Sequence, residues 1–275
     1  MYPWETVDSL RLFSEYLKVT GIAHLGPETQ GDSRLIGKTL GLLNGSSWIT
    51  LWANYFGRQS LPGVHFVNVG NEALQLSFLE AYEKGEPTPP QSNVDAMARY
   101  ALDLVQLSHV DAILITCSTM NRSYSRVKQA VEPYSIPVVQ IDRPMMEEAI
   151  QHGGRILVVA THGPTVKSTQ DLLIETAQDL GREIDFSGLH TEEPWRRLAN
   201  YDVEGHNRLL AEAIHQKMQE EIIDCVVLAQ LSMTTLLLSF PEPTREFGVP
   251  VLTSGKCGFE YMRRVLTEHE QMEQS

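Results

Sequence analysis

The sequence predicts an α/β protein with two pseudo-symmetric lobes, each built on a parallel sheet of about four strands flanked by helices. Two observations lead to this prediction. Strand-like apolar runs alternate with segments of helical spacing along most of the chain, and parts of the first half recur in the second half at a fixed offset. Ligands of open parallel sheets bind at the carboxyl ends of the strands, so we expect the active site at that edge of the sheets.

The predicted strands are short and rich in Val, Ile and Leu, as buried parallel strands are. Between two of them, residues 92–107 place Val94, Met97 and Ala101 on one face at helical spacing. Residues 1–35 fit no strand–helix unit, and we interpret them as an N-terminal extension with one helix near 4–18. The strands are predicted at 38–43, 64–69, 112–116, 137–141, 155–160, 183–188, 225–229 and 250–254.

The internal repeat is clearest around two aspartates. Asp111 and Asp224 precede similar apolar runs 113 residues apart, and Pro137 and Pro250 open the following runs at the same offset. The earlier strands match less closely, at offsets of 117 and 118. A constant offset across a strand, a helix and a second strand indicates two similar units. We therefore expect the last strand and helix to return to the first lobe, which gives a first lobe of 36–137 plus 248–275 and a second lobe of 138–247.

Composition excludes several classes of protein. The chain has 275 residues, of which 42% are hydrophobic, and can bury a core in each of two domains. Its net charge of −13 argues against a nucleic-acid partner and against binding to an anionic membrane. No signal peptide and no transmembrane segment is recognisable. The three cysteines form no C-x-x-C pair, which disfavours disulfides and zinc and favours a cytoplasmic location.

The stretch "VDAILITCSTMN" ends an apolar run on Cys117, at the predicted carboxyl end of a strand and directly before a helix. Ser118 or Thr119 can cap that helix, whose free N–H groups would attract a carboxylate and lower the pKa of the thiol. Cys225 opens its strand at the opposite edge, inside an apolar run, and is interpreted as core packing. Cys117 is therefore the candidate acid/base or nucleophile.

A second stretch, "IDCVVLAQLSMT", has the same outline but carries Gln230 in the position that matches Cys117, again 113 residues on. An amide does not transfer a proton at a useful pKa, but its NH₂ group can donate a hydrogen bond to a developing enolate. We therefore expect Gln230 to hold the substrate's carboxylate or enolate opposite the thiol.

Further candidates follow from position at strand ends. His162 and Cys257 are candidates for a second acid/base, because each follows a predicted strand at the expected edge. A metal site from His162, His190 and Asp142 has no recognisable ligand spacing and is disfavoured, so no metal is expected. No glycine-rich nucleotide loop follows a strand, so no nucleotide cofactor is expected. Hydroxyl and amide groups that could bind a carboxylate substrate are those of Asn44, Ser46, Asn71, Ser118, Thr119, Thr165 and Ser232.

Four segments carry a resemblance to a known family: "LITCSTMN", "VLAQLSMT", "VVATHGPTVKS" and "PVVQIDRPMMEEA". Their order and spacing over residues 36–268 resemble the aspartate/glutamate racemase superfamily. The resemblance implies two facing α/β lobes with the active site in the cleft between them. It also implies proton transfer next to a carboxylate without pyridoxal phosphate or another cofactor. Dimers are common in that family, which implies that this chain can form a homodimer.

The departure from the family concerns one of its two active-site cysteines. Cys117 matches the first, whereas Gln230 stands in place of the second, so ordinary two-cysteine racemisation is not expected. The leading hypothesis is a racemase-like isomerase that acts at the α-carbon of a small carboxylic acid with a single cysteine. Two alternatives stay open: a cysteine-dependent hydrolase, lyase or decarboxylase on the same fold, and a non-catalytic two-lobed protein that binds a small carboxylate.

Overall fold

A computed structural model describes residues 7–21 and 31–273 and shows two parallel four-stranded sheets. The first has the order β2-β1-β3-β4 and the second the order β6-β5-β7-β8. All six pairings are parallel, which confirms the predicted fold class. The strands are β1 (Thr39–Asn44), β2 (His65–Gly70), β3 (Ala112–Ile115), β4 (Val138–Gln140), β5 (Arg155–Ala160), β6 (Asp185–His190), β7 (Cys225–Leu228) and β8 (Val251–Thr253).

Helices connect the strands and cover the sheets, so the central strands β3 and β7 are buried along their whole length. The predicted N-terminal helix near 4–18 is observed as α1 (Ser9–Thr20), and residues 4–6 lie outside the described residues. The other helices are α2 (Ile49–Ser60), α3 (Glu72–Glu83), α4 (Gln91–Ser108), α5 (Tyr124–Val131), α6 (Arg143–His152), α7 (Gly163–Asp179), α8 (Glu193–Ala199), α9 (Val203–Glu220), α10 (Leu236–Ser239), α11 (Pro243–Phe247) and α12 (Ser254–Glu273). Among the described residues, no helix is long and apolar enough to cross a membrane.

The repeat is present in atomic detail. The carboxylate of Asp111 accepts a hydrogen bond of 2.6 Å from the backbone N–H of Thr39, the first residue of β1. The carboxylate of Asp224 accepts one of 2.7 Å from the backbone N–H of Arg155, the first residue of β5. Each aspartate thus ties the start of the central strand to its neighbour, which explains why this residue recurs at the predicted offset.

Strand pairing shows that the predicted lobe boundaries are wrong for the fourth and the last strand. The strand at 138–140, expected in the second lobe, pairs with β3 in the first sheet, and the last strand pairs with β7 in the second sheet. The last strand is the counterpart of β4, so each sheet is completed by its own fourth strand. Only the final helix returns as expected: in α12 the Phe259 ring stacks on Phe66 of β2, and Arg263 donates a 3.0 Å hydrogen bond to the Ser60 carbonyl.

Candidate active site

A cavity of about 160 Å³ lies between the lobes, at the carboxyl ends of strands from both sheets. Cys117 follows β3, Gln230 follows β7 and His162 follows β5, and all three line the cavity. This is the edge at which parallel sheets bind ligands. The complete lining consists of Trp48, Ile49, Gln75, Leu79, Thr116, Cys117, Ser118, Thr119, His162, Thr165, Trp195, Gln230, Leu231 and Ser232.

The Cys117 side chain is only 5% exposed, and its sulfur lies 3.1 Å from the hydroxyl oxygen of Thr119. Its position depends on Gly45, which follows β1. A Cβ atom on Gly45 would lie 2.4 Å from the Cys117 sulfur, well inside van der Waals contact. The turn after β1 therefore requires glycine so that the thiol can reach the cavity wall.

The expected lowering of the Cys117 pKa is wrong. Ser118 and Thr119 do not cap an α-helix but are the first residues of a short 3-10 helix, Ser118–Ser123, with Cys117 at its N-cap position. Burial raises the pKa of the thiol, and the Thr119 hydroxyl and the backbone N–H groups of Met120 and Thr119 offset this only in part. The thiol is therefore neutral at pH 7 and resembles a proton donor more than a resting nucleophile.

Gln230 occupies the equivalent position in the second lobe, at the N-cap of the 3-10 helix Leu231–Thr235. Its side-chain oxygen accepts hydrogen bonds from the backbone N–H of Thr161, at 2.7 Å, and from the Thr161 hydroxyl, at 3.0 Å. A backbone N–H can only donate, so these contacts fix which end of the amide is the oxygen. The NH₂ group of Gln230 is left as the donor of this side chain.

His162 lines the same cavity and stands at the N-cap of α7. Burial lowers the pKa of its imidazole, and the nearby His190 lowers it further. The Nε2 atom is buried without a hydrogen-bond partner, and the ring lies against Trp195 with centroids 6.4 Å apart. A neutral imidazole with a free nitrogen is a competent general base.

Four of the predicted binding residues line the cavity: Ser118, Thr119, Thr165 and Ser232. The Thr165 hydroxyl is buried and lacks a hydrogen-bond partner within the described residues, whereas the Ser118 hydroxyl acts on the carboxylate of Asp142. Buried hydroxyls are normally paired, so the Thr165 hydroxyl is available for a ligand.

Asn44, Ser46 and Asn71 do not line the cavity. The Asn44 side chain is fully buried. Its oxygen accepts a hydrogen bond of 2.5 Å from the Thr116 hydroxyl, and its NH₂ group donates one of 3.1 Å to the Asn68 side-chain oxygen, so neither group is available for a ligand. Asn71 caps α3 through the backbone N–H of Ala73. These asparagines support the site's walls from outside the cavity.

Cys257 lies away from the cavity, in the core of the second lobe, so the structure does not support it as a second acid/base. Burial raises its pKa above the ordinary value. Cys225 also packs in that core, where burial raises its pKa to about 12, in agreement with the predicted packing role.

Sequence reasoning missed the aromatic wall of the cavity. Trp48 precedes α2 and Trp195 lies in α8, with ring centroids 5.6 Å apart. Neither occupies a strand end or a recognisable motif, and their only signal is that both follow a strand by a few residues.

Asp142, named above only as an improbable metal ligand, lies buried where the lobes meet. The Asn121 amide donates a 2.6 Å hydrogen bond to one of its carboxylate oxygens, and the Ser118 and Ser254 hydroxyls lie close enough to act on the same carboxylate. Burial raises the pKa of Asp142 to about 6, against the opposing effects of Ser118, Asn121 and Ser254. No group of three potential metal ligands occurs in the described residues.

The cleft between two parallel α/β lobes thus brings together a thiol, an imidazole and neutral hydrogen-bond donors, groups that can transfer protons. The model of the Asp/Glu/Hydantoin racemase family matches residues 77–262, and the chain belongs to that family. Membership confirms the resemblance and indicates an enzyme of the racemase and isomerase class. A search of curated proteins found no match.

Solved structures of the same fold are similar to this chain. The structure of glutamate racemase from Francisella tularensis in complex with D-glutamate has a TM-score of 0.61 at 14% identity, covering 85% of this chain and 82% of that one. Allantoin racemase from Klebsiella pneumoniae gives 0.59 at 18% identity, over 85% and 89%. An aspartate racemase homologue from Pyrococcus horikoshii gives 0.61 at 16% identity, over 84% and 99%. At these identities the likeness concerns the fold alone.

Proposed function

We propose that this protein is a cofactor-independent racemase or isomerase that moves the α-proton of a small carboxylic acid, with Cys117 as one acid/base. The observation that carries the proposal is that Cys117 and His162 line one cavity from opposite lobes. The raised pKa of Cys117 keeps the thiol protonated, and the lowered pKa of His162 keeps the imidazole unprotonated. A neutral thiol can give a proton and a neutral imidazole can take one.

In the proposed reaction His162 removes the α-proton through its free Nε2 atom, and the C–H electron pair becomes part of an enolate. The Cys117 thiol then delivers its proton to the opposite face of the same carbon. The resulting imidazolium and thiolate run the reaction in the reverse direction, so a second turnover restores the starting states.

Neutral donors stabilise the charge that develops during this reaction. The NH₂ group of Gln230 is oriented by Thr161 and donates to the enolate oxygen. The unpaired hydroxyl of Thr165 binds the carboxylate. Gln230 thus contributes electrostatically in the position where a second thiol would have exchanged a proton.

The test is incubation with a panel of α-substituted carboxylic acids in D₂O, followed by NMR. With an acid of one configuration, we expect the wild type to invert the α-carbon as deuterium enters, and Cys117→Ala to leave the configuration unchanged, as read by chiral chromatography. Cys257→Ala is the matched control, because it removes an equally buried thiol outside the cavity and should exchange at the wild-type rate.

Other outcomes of the same experiment would contradict the proposal. Release of CO₂ would indicate a decarboxylase, an alkene would indicate a lyase, and hydrolysis with an acyl adduct on Cys117 would indicate a hydrolase. Binding of an acid without any exchange would indicate the non-catalytic binding protein. The hydrolase has no support from geometry, since the Cys117 sulfur contacts the Thr119 hydroxyl instead of a basic side chain that could activate it.

The homodimer and the cytoplasmic location stay predictions from the sequence. Size-exclusion chromatography with light scattering would decide the first, and fractionation of the native cells would decide the second.

A further inference from the structure

One wall of the cavity between the lobes is apolar and aromatic. The rings of Trp48 and Trp195 meet at 5.6 Å between centroids and an interplanar angle of 55°. Leu79 and Leu231 extend the same lining. Trp48 keeps 40% of its surface exposed although it borders a cavity, which is unusual for so large an apolar side chain. Covering such a wall with an apolar group of the ligand removes apolar surface from water and therefore favours binding.

Charge is missing from the lining among the described residues. None of the side chains that line the cavity belongs to Asp, Glu, Lys or Arg. Its titratable groups are Cys117, whose pKa is raised, and His162, whose pKa is lowered, so both are neutral at pH 7. A second carboxylate or an α-ammonium group would therefore enter the cavity without a counter-charge, and an unpaired charge away from water is strongly disfavoured.

The polar groups present are sufficient for one carboxylate. The buried hydroxyl of Thr165 has no partner within the described residues, and the hydrogen bonds that hold the Gln230 oxygen leave its NH₂ group as a donor. Neutral donors of this kind bind a single anionic group. The cavity therefore separates into a small polar part next to Cys117 and an aromatic part next to the two tryptophans.

We propose that the ligand is a monocarboxylic acid with an aryl group on its α-carbon and no second charged group, the aryl group packing against Trp48 and Trp195. The inference rests on the proposed function, because that function places the α-carbon beside Cys117. It goes beyond it by naming the substrate class and by assigning specificity to the two tryptophans.

The proposal is tested by isothermal titration calorimetry with four related acids. Phenylacetate has the proposed features, phenylsuccinate adds a second carboxylate, phenylglycine adds an ammonium group, and succinate lacks the ring. We expect phenylacetate to bind at least about tenfold more tightly than each of the other three, because each of them leaves a charge unpaired or the aromatic wall uncovered. Equal or tighter binding of succinate would overturn the inference.

Variants of the wall test the assignment to the tryptophans. Trp195→Leu and Trp48→Leu keep the wall apolar but remove the aromatic face, and each should weaken phenylacetate binding about tenfold. Trp52→Phe is the control, because Trp52 touches the Trp48 ring, at 6.4 Å between centroids, but does not line the cavity. Trp48 is partly exposed, so its variant stays informative if Trp195→Leu fails to fold. Unchanged binding in a folded Trp48→Leu protein would contradict the assignment.

Failure of this inference and failure of the proposed function give different results. If phenylacetate binds selectively but no acid in the panel exchanges its α-proton, the substrate class stands and the proposed reaction is wrong. If α-deuterium enters dicarboxylates or amino acids preferentially, the reaction stands and the substrate class is wrong.

Discussion

The two lobes place Cys117 and Gln230 on nearly the same backbone but give them different chemistry. Both residues are extended, with φ and ψ of −108° and 113° for Cys117 and −141° and 139° for Gln230, and both precede a 3-10 helix. The thiol ionises, whereas the amide only donates and accepts hydrogen bonds. The repeated fold thus preserves the backbone conformation at this position, while the chemistry of the side chain differs between the lobes.

The neighbouring strand differs between the lobes in a matching way. The pairing of β1 with β3 and of β5 with β7 makes Gly45 the counterpart of Thr161. Gly45 leaves room for the sulfur of Cys117, whereas the Thr161 hydroxyl and backbone N–H bind the oxygen of Gln230. The difference between the lobes therefore involves two pairs of residues, Cys117 with Gly45 and Gln230 with Thr161. Substituting glutamine for cysteine alone would not reproduce it.

The largest expected effect comes from removing the thiol. Cys117→Ala should lower the rate of inversion at the α-carbon of a chiral acid by up to about 10⁴-fold, because the proton donor of one face is lost. Binding of phenylacetate should change little, since the hydroxyl and amide donors stay in place. Inversion rates from chiral chromatography and affinities from calorimetry check the two halves of this prediction. Inversion within a factor of two of the wild type would show that the lobes do not differ as proposed.

The next effect concerns the other lobe. Gln230→Met keeps the length and apolar stem of the side chain but removes the NH₂ donor, and should lower kcat by about 10²-fold. Gln230→Glu offers the same shape with a carboxylate, which would repel an enolate and should be slower still. Single-turnover exchange at saturating acid measures both. A Gln230→Met enzyme of wild-type kcat would leave the amide without a catalytic role.

Much of this comparison was readable from the sequence, because it depends on local patterns. Apolar runs predict all eight strands to within a few residues, and the constant offset alone matches Cys117 with Gln230. The expected lowering of the Cys117 pKa fails because the residues after the thiol form a short 3-10 helix and burial raises the pKa. The last strand, expected in the first lobe, instead pairs with β7 in the second sheet, as the counterpart of β4.

The features that the sequence does not predict depend on contacts between residues far apart in the chain. Trp48 and Trp195 are 147 positions apart and share no motif, so nothing local indicates that their rings touch. Asn44 stands at a strand end and looks like a ligand group, yet Thr116 and Asn68 use its hydrogen bonds. Only the packing of neighbouring strands decides whether such a group is free.

A stability effect is expected where the lobes meet. Asp142 binds its proton more tightly in the folded state, with a pKa of about 6 against 3.8 as the ordinary value. The folded state is therefore favoured below pH 4 and loses up to about 3 kcal/mol of its free energy of unfolding as the pH rises from 4 through 6. Asp142→Asn should remove this dependence and be more stable than the wild type at pH 8. Urea denaturation at several pH values checks it, and parallel curves for both proteins would contradict it.

The smallest expected effect compares the lobes at the opposite edge of the sheets. Asp111 and Asp224 accept the same backbone hydrogen bond at the start of β1 and β5, but Asp111 is partly buried and Asp224 is exposed. A charge-assisted bond screened by water contributes less, so Asp111→Ala should cost about 2 kcal/mol of unfolding free energy and Asp224→Ala about 1 kcal/mol. Chemical denaturation at 50 mM and 500 mM salt measures both, and salt should reduce mainly the effect of Asp224→Ala. Equal costs at both salt concentrations would mean that the two lobes are as symmetric in energy as they are in topology, and that their difference is confined to the cleft.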